Sequence, residues 1–100
     1  MALHEVARVG EIKEGMSKVV SVNGEDVAVF NVAGQYHAIC STCPHKGGPL
    51  GEGMLDGNVV TCPWHQWKFD VTTGVSAVVK TVSVPHYKVV VQDGKILVEA

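Results

Sequence analysis

Two short segments of this chain each bring a cysteine and a histidine together. Cys43-Pro44-His45 is followed, after sixteen residues, by Cys62-Pro63-Trp64-His65. A thiolate and an imidazole one or two residues apart on a loop can point into one pocket. Two such loops facing each other supply four ligands. A Cys2His2 set suits several metals. A mononuclear zinc site is one reading, yet zinc fingers usually group two cysteines and then two histidines. Here each loop carries one ligand of each kind. That arrangement suits a binuclear iron–sulfur centre with one iron held by thiolates and the other by imidazoles. The chain has three cysteines, an odd number that argues against a closed disulfide framework. Cys40 makes a second Cys-x-x-Cys with Cys43. It reads as a thiol packed at a strand end, with a spare ligand or a redox partner as alternatives. None of His4, His37 and His86 has a cysteine at ligand spacing. His37 reads as structural, and His4 and His86 as surface residues.

The elements that must position these loops are strands. β-branched runs recur at Lys18–Val22, Asp26–Val32, Tyr36–Cys40, Asn58–Cys62, Val82–Val84, Tyr87–Gln92 and Lys95–Glu99. Asn23-Gly24, Asp93-Gly94 and Asp56-Gly57 are turn signals of the type I′ hairpin, whose central residues need positive φ. If Gln92 faces Lys95, then Val91 faces Ile96 and Val89 faces Val98, on one face that buries together. The Asn23-Gly24 turn likewise sets Val20 against Val27. No stretch keeps the i, i+3, i+4, i+7 pattern over three turns, so no long helix is expected. The fold class is all-β, a small antiparallel sandwich or barrel with long loops. One hundred residues, 46% of them apolar and 18% charged, fit one domain spanning 1–100, with the ligand loops at about 40–74. A core this modest gains from a metal centre that ties loops together.

Several partner classes are disfavoured. The net charge is −2 and there is no Lys/Arg run, so neither nucleic acid nor an anionic membrane is indicated. No apolar stretch approaches the roughly 20 residues that span a bilayer. The segment MALHEVARVGEIKEG has no apolar signal core, and a cytoplasmic location is expected.

CPHKGGPLGEG followed by CPWHQWKFDVTTG resembles the two cluster-binding boxes of Rieske proteins, Rieske ferredoxins in particular. The gap fits, and so do the flanks, Gly47-Gly48-Pro49-Leu50 and Trp67-x-Phe69-Asp70-x-x-Thr73-Gly74. The resemblance covers roughly residues 36–74 and continues weakly through Val84-Pro85-His86-Tyr87-Lys88-Val89. It implies one [2Fe–2S] cluster per chain in a cluster-binding subdomain. Cys43 and Cys62 would hold the inner iron, and His45 and His65 the outer iron through Nδ1. Gly47 and Gly48 would let backbone N–H groups approach the sulfurs. Trp64 and Trp67 would stand beside the cluster, shielding it, relaying electrons or simply packing. The oxidised centre would be neutral and the reduced one −1, so reduction would raise the pKa of the exposed histidines.

Departures carry information. High-potential Rieske proteins have a disulfide cysteine in each box, where Gly48 and Trp64 stand here. They also have a Ser and a Tyr that donate to sulfur, where this chain has Trp67 and Phe69. Rieske centres span roughly −150 to +300 mV, and the lower half of that range is expected here. Gln66 replaces the usual Gly, implying a different shape for the second loop. The segment Val75–Thr81 lacks the proline-rich cover of the family, leaving Pro85 as the candidate third wall.

The function implied is electron transfer, not catalysis by the chain alone. There is no G-x-G-x-x-G, and 100 residues leave little room for a substrate pocket beside a cluster. By resemblance, such ferredoxins pass single electrons from a flavin-dependent NAD(P)H reductase to a terminal oxygenase, and the chain is expected to be a monomer. Pro44, Pro49, Leu50 and Trp64 would form an apolar docking surface. The alternatives are a Rieske small subunit of a larger redox enzyme, such as a nitrite reductase, and a zinc-stabilised Cys2His2 binding module.

Overall fold

A computed structural model of the chain describes residues 2–42, 49–64 and 66–100. Its strands are β1 (Leu3–Arg8), β2 (Ser17–Val22), β3 (Glu25–Val32), β4 (Gln35–Cys40), β5 (Met54–Asp56), β6 (Val59–Thr61), β7 (Lys68–Asp70), β8 (His86–Gln92) and β9 (Lys95–Glu99). A 3₁₀ turn spans Leu50–Glu52. Among the described residues there is no α-helix, and none could cross a membrane as a long apolar helix.

The strands form two antiparallel sheets. The larger has the order β1-β9-β8-β4-β3-β2 and curls into a nearly closed barrel; the smaller is β5-β6-β7. Strand β3 explains how they stack. Its core residues are buried on both faces, and period-2 alternation divides them. Val27 and Val29 point into the barrel with Val22, Ala38, Ile96 and Val98. Ala28 and Phe30 point out and join Ile39 under Val60 and Phe69 of the small sheet and Val71 just beyond β7.

The hairpins follow their turn residues. Asn23 and Gly24 have φ of 53° and 82°, and Asp93 and Gly94 have 53° and 74°, so both two-residue turns use the left-handed region as expected. Val20 faces Val27, Val91 faces Ile96 and Val89 faces Val98. The β5–β6 turn centres one residue later than expected, on Gly57-Asn58 between the paired Asp56 and Val59. Only Gly57 has positive φ there, the pattern of a type II′ turn. An unforeseen turn at Ala33-Gly34 joins β3 to β4 with φ of 51° and 90°.

Four expectations need correction. Val82–Val84 is not a strand: only Ser83 makes a bridge, to Val75, because Val82 N–H bonds Val79 O and Val84 N–H bonds Gly74 O. Val91 has the expected partner but stays exposed, whereas Ile96 opposite it is fully buried. His4 is half-buried, and its Nε2 is enclosed without a hydrogen-bond partner. Leu50 is fully buried and cannot belong to a docking surface.

Candidate metal centre

Of the residues that the sequence singles out, Cys43, Pro44, His45, Gly47, Gly48 and His65 lie outside the described residues. Cys62, Trp64 and Trp67 are described, together with the stems of both boxes, and the stems show how the fold presents them.

The first box is closed at its base by an antiparallel bridge between Thr42 and Pro49. Leu50 N–H donates to Ser41 O at 2.6 Å, and Ser41 Oγ accepts the Gly51 N–H at 3.1 Å. Ser17 Oγ donates to Gly51 O at 2.6 Å, tying this stem to the start of β2. Buried Ser41 thus satisfies two backbone N–H groups that would otherwise be orphaned in the core. A side chain at Gly51 would run into Val19, Ala28 and Ser41, so only glycine lets the 3₁₀ turn lie flat on β2 and β3.

The second box sits at the tip of the β6–β7 hairpin. Thr61 pairs with Lys68, and Cys62 N–H donates to Trp67 O at 2.7 Å, closing the loop. Cys62 is fully buried, whereas Pro63, Trp64 and Gln66 are exposed. The chain therefore climbs from core to solvent within one residue of the cysteine. Gln66 has a φ of 59°, the left-handed backbone that favours glycine. A glycine-type backbone is thus kept at this one position despite the glutamine.

The two stems share one core. Leu50, from the first, and Cys62, from the second, are both fully buried in a cluster with Phe30, Ile39, Val60 and Phe69. Gly53 meets the backbone of Thr61 so closely that a Cβ would overlap its carbonyl. Cys40 packs half-buried against the same cluster at the end of β4, its N–H bonded to Pro85 O at 2.9 Å. Pro85 is engaged there, and the segment aligned beside β7 is 75–77.

Trp67 and Phe69 stack with centroids 6.5 Å apart and planes 29° apart. Phe69 is fully buried and Trp67 half-buried, so packing accounts for both, whereas Trp64 is 51% exposed and packs little. The Asp70-x-x-Thr73-Gly74 flank is a structural turn. Asp70 Oδ1 accepts the Thr72 N–H at 2.8 Å and its hydroxyl at 2.5 Å, and Asp70 O accepts the Gly74 N–H at 2.7 Å. Gly74, at φ 82°, then lies against Val84 O, where a Cβ would clash.

Two titrating groups nearby are shifted. Burial is the main cause holding His37 below the ordinary histidine range; His86 adds to it and Asp70 opposes it. Burial also raises the Tyr87 phenol, helped by Cys40 and Glu25.

Sequence reasoning missed Ser17, Ser41, Gly51 and Gly53, which hold the first stem. The Leu50-Gly51-Glu52-Gly53 spacing, two glycines flanking one residue after the box, was the available signal.

Comparison with known proteins agrees with this architecture. The family model described as the Rieske [2Fe-2S] domain matches residues 2–88. The ferredoxin component of naphthalene 1,2-dioxygenase/salicylate 5-hydroxylase systems from Ralstonia sp is 37% identical over 70 residues, 70% of this chain and 67% of that protein. The ferredoxin of carbazole 1,9a-dioxygenase from Nocardioides aromaticivorans IC177 superposes with a TM-score of 0.91 at 31% identity, over 98% of this chain and 97% of that one. A chain from a solved complex of reduced oxygenase and oxidized ferredoxin in carbazole 1,9a-dioxygenase gives a TM-score of 0.90 at 34% identity, covering 96% of this chain and 91% of that one.

Proposed function

Because the chain belongs to the Rieske [2Fe–2S] domain family, we propose that it is a one-electron carrier, accepting electrons from a flavin-dependent NAD(P)H reductase and delivering them to a terminal oxygenase. It acts as a cytoplasmic monomer of one domain, and it is not an enzyme by itself. Cys43 and Cys62 are the thiolate ligands, and His45 and His65 the imidazole ligands. The bound cluster supplies a one-electron couple.

The observation that carries this reading is the burial of Cys62 at the base of its loop, in the same core as Leu50 at the base of the other. The step from buried Cys62 to exposed Pro63 and Trp64 fits a thiolate inside and an imidazole outside. Two stems tied to one core bring the bases of both boxes together before any metal arrives, which lowers the ordering cost of binding. The core under the site is apolar. Phe69 and Trp67 offer no hydroxyl to sulfur, which supports a midpoint in the lower half of the Rieske range.

The test is direct transfer. Holoprotein reduced without oxygen is mixed with the oxidised oxygenase of carbazole 1,9a-dioxygenase or of naphthalene 1,2-dioxygenase. Reoxidation of the carrier with matching reduction of the oxygenase is expected. A carrier that passes electrons to neither oxygenase contradicts the proposal.

A further inference from the structure

The ladder between β4 and β8 stops early. Its pairs are Ala38 with Tyr87 and Ile39 with His86, and Cys40 N–H adds a bond to Pro85 O. Both strands run on past Ala38 and Tyr87, β4 back to Gln35 and β8 forward to Gln92, yet no pair joins them there. Each keeps its other partner throughout: β4 pairs with β3 down to Gln35, and β8 pairs with β9 up to Gln92. The two facing edges therefore diverge. In keeping with this, β8 has no buried residue, although β4 and β9 both do.

The register fixes which backbone groups face the opening. Along an antiparallel strand, alternate residues turn N–H and C=O to the same neighbour. Cys40 bonds toward β8, so Ala38 and Tyr36 turn that way too, whereas Gln35, opposite Val32 across a two-residue turn, bonds toward β3. On β8, Gln92 closes a two-residue turn with Lys95, so Gln92, Val90 and Lys88 bond β9. Val89 and Val91 thus turn their N–H and C=O groups toward β4. Tyr36, Val89 and Val91 line one groove there, with Val9, Gly34 and His37. Its volume is about 640 Å³, far more than the roughly 30 Å³ of a water. Val9 and Val91 are 49% and 52% exposed along it, and Tyr36 and Val89 pack against the barrel core. No lining residue is charged, since burial holds His37 below the ordinary histidine range and leaves it neutral at neutral pH. Free strand edges are usually guarded by a lysine or a proline; neither lines this one.

We propose that the opening between β4 and β8 binds an extended, uncharged, apolar segment of a partner protein, which adds as a strand along Val89 and Val91 opposite Tyr36. Main-chain donors and acceptors at strand spacing are matched by another main chain, with apolar side chains filling the groove. A compact apolar molecule would leave those groups unpaired, and a charged segment would lose water without gaining a counter-ion. The site stands apart from the ligand loops. From Tyr36 the chain runs about 20 Å along β4 to Thr42, at the base of the first box. A segment anchored in the groove leaves the ligand-loop end free.

The test uses ¹⁵N-labelled holoprotein and a capped pentapeptide of alternating threonine and valine, with the same peptide N-methylated on alternate amides as control. At about 1 mM peptide, where a complex with a Kd of about 1 mM is half formed, amide exchange at Val89 and Val91 should slow about twofold or more. The Tyr36, Val89 and Val91 signals should shift, with the visible spectrum unchanged. The N-methylated peptide should do neither. V91E, which places a charge on an exposed residue of the groove, should keep the chromophore and lose the response. No response from wild-type protein overturns the inference, and so does a V91E response equal to wild type. An equal response to the N-methylated peptide overturns it in favour of a site for apolar bulk alone. The same amides responding to protein concentration without peptide overturn it in favour of a second copy of this chain.

Discussion

Gly53 is where the stem of the first box touches the strand that leads to the second. Its φ of −76° and ψ of 169° are extended and open to any residue, so alanine there pays no conformational penalty. The obstacle is steric. An added Cβ overlaps the carbonyl of Thr61 and presses on Val60 Cγ2. Two of those atoms are backbone and cannot swing aside, so β6 and the stem must part by on the order of an ångström, a displacement typical of overpacking. That costs about 1–3 kcal/mol, and a weakened ladder bond beside Met54 and Thr61 adds about 1 kcal/mol. If about 3 kcal/mol of this falls on the opening rate, the centre is lost on the order of 100-fold faster. Gly57→Ala is the control. Nothing lies within 4 Å of its Cβ, and its φ of 61° brings backbone strain alone, about 1 kcal/mol and roughly fivefold in rate. The assay is the decay of visible absorbance at fixed elevated temperature without oxygen, run on both variants and wild type. If Gly53→Ala bleaches no faster than Gly57→Ala, the contact between stems does not hold the two boxes together.

Three further outcomes are expected. Gln66→Gly should keep the chromophore and gain up to about 1 kcal/mol, because it relieves a left-handed non-glycine residue; a Tm below wild type would count against this. His37 binds its proton less readily folded than unfolded, so stability is intact above about 6.5, its ordinary value, and falls as pH drops through that value toward the lowered folded one. His37→Gln should flatten the Tm-against-pH curve between about pH 7 and pH 5, and a curve parallel to wild type would exclude this role. With histidine ligands that bind protons more tightly after reduction, the midpoint potential should fall as pH rises past their oxidised-state pKa values. The limiting slope is about 59 mV per pH unit for one proton per electron, and spectroelectrochemistry showing a flat potential to high pH would contradict imidazole ligation.

What was legible in the sequence was whatever local chemistry dictates. Asn23-Gly24 and Asp93-Gly94 want positive φ, so their hairpins and registers could be read directly. The run from Val27 to Val32 signalled a strand, and burial on both faces explains why it is apolar almost throughout. β1 carried no such signal, because LHEVAR alternates poorly and becomes a strand only by pairing with β9. β5 and β7 are three-residue strands defined by their partners. Val82–Val84 had strand composition, but its N–H groups go to Val79, in a local turn, and to Gly74, across the loop. At the site, the two cysteine–histidine pairs and their spacing were local and visible. The supports were not: Ser41 holds Gly51, and Gly53 abuts Thr61, through contacts that no spacing rule encodes. Leu50 and Val78 show the same limit, since apolar identity alone does not say which is buried and which is exposed.

In the proposed carrier, two loop tips jointly hold one centre, each giving a cysteine and a histidine. The most direct measurement is quantification of iron and acid-labile sulfide in purified holoprotein, with visible and paramagnetic resonance spectra before and after Cys43, His45, Cys62 and His65 are each changed to Ala. The expected result is about two irons and two sulfides per chain, a red-brown reduced-active chromophore, and its loss or alteration in all four variants. Colourless protein containing zinc, or a chromophore that survives all four changes intact, would contradict the account.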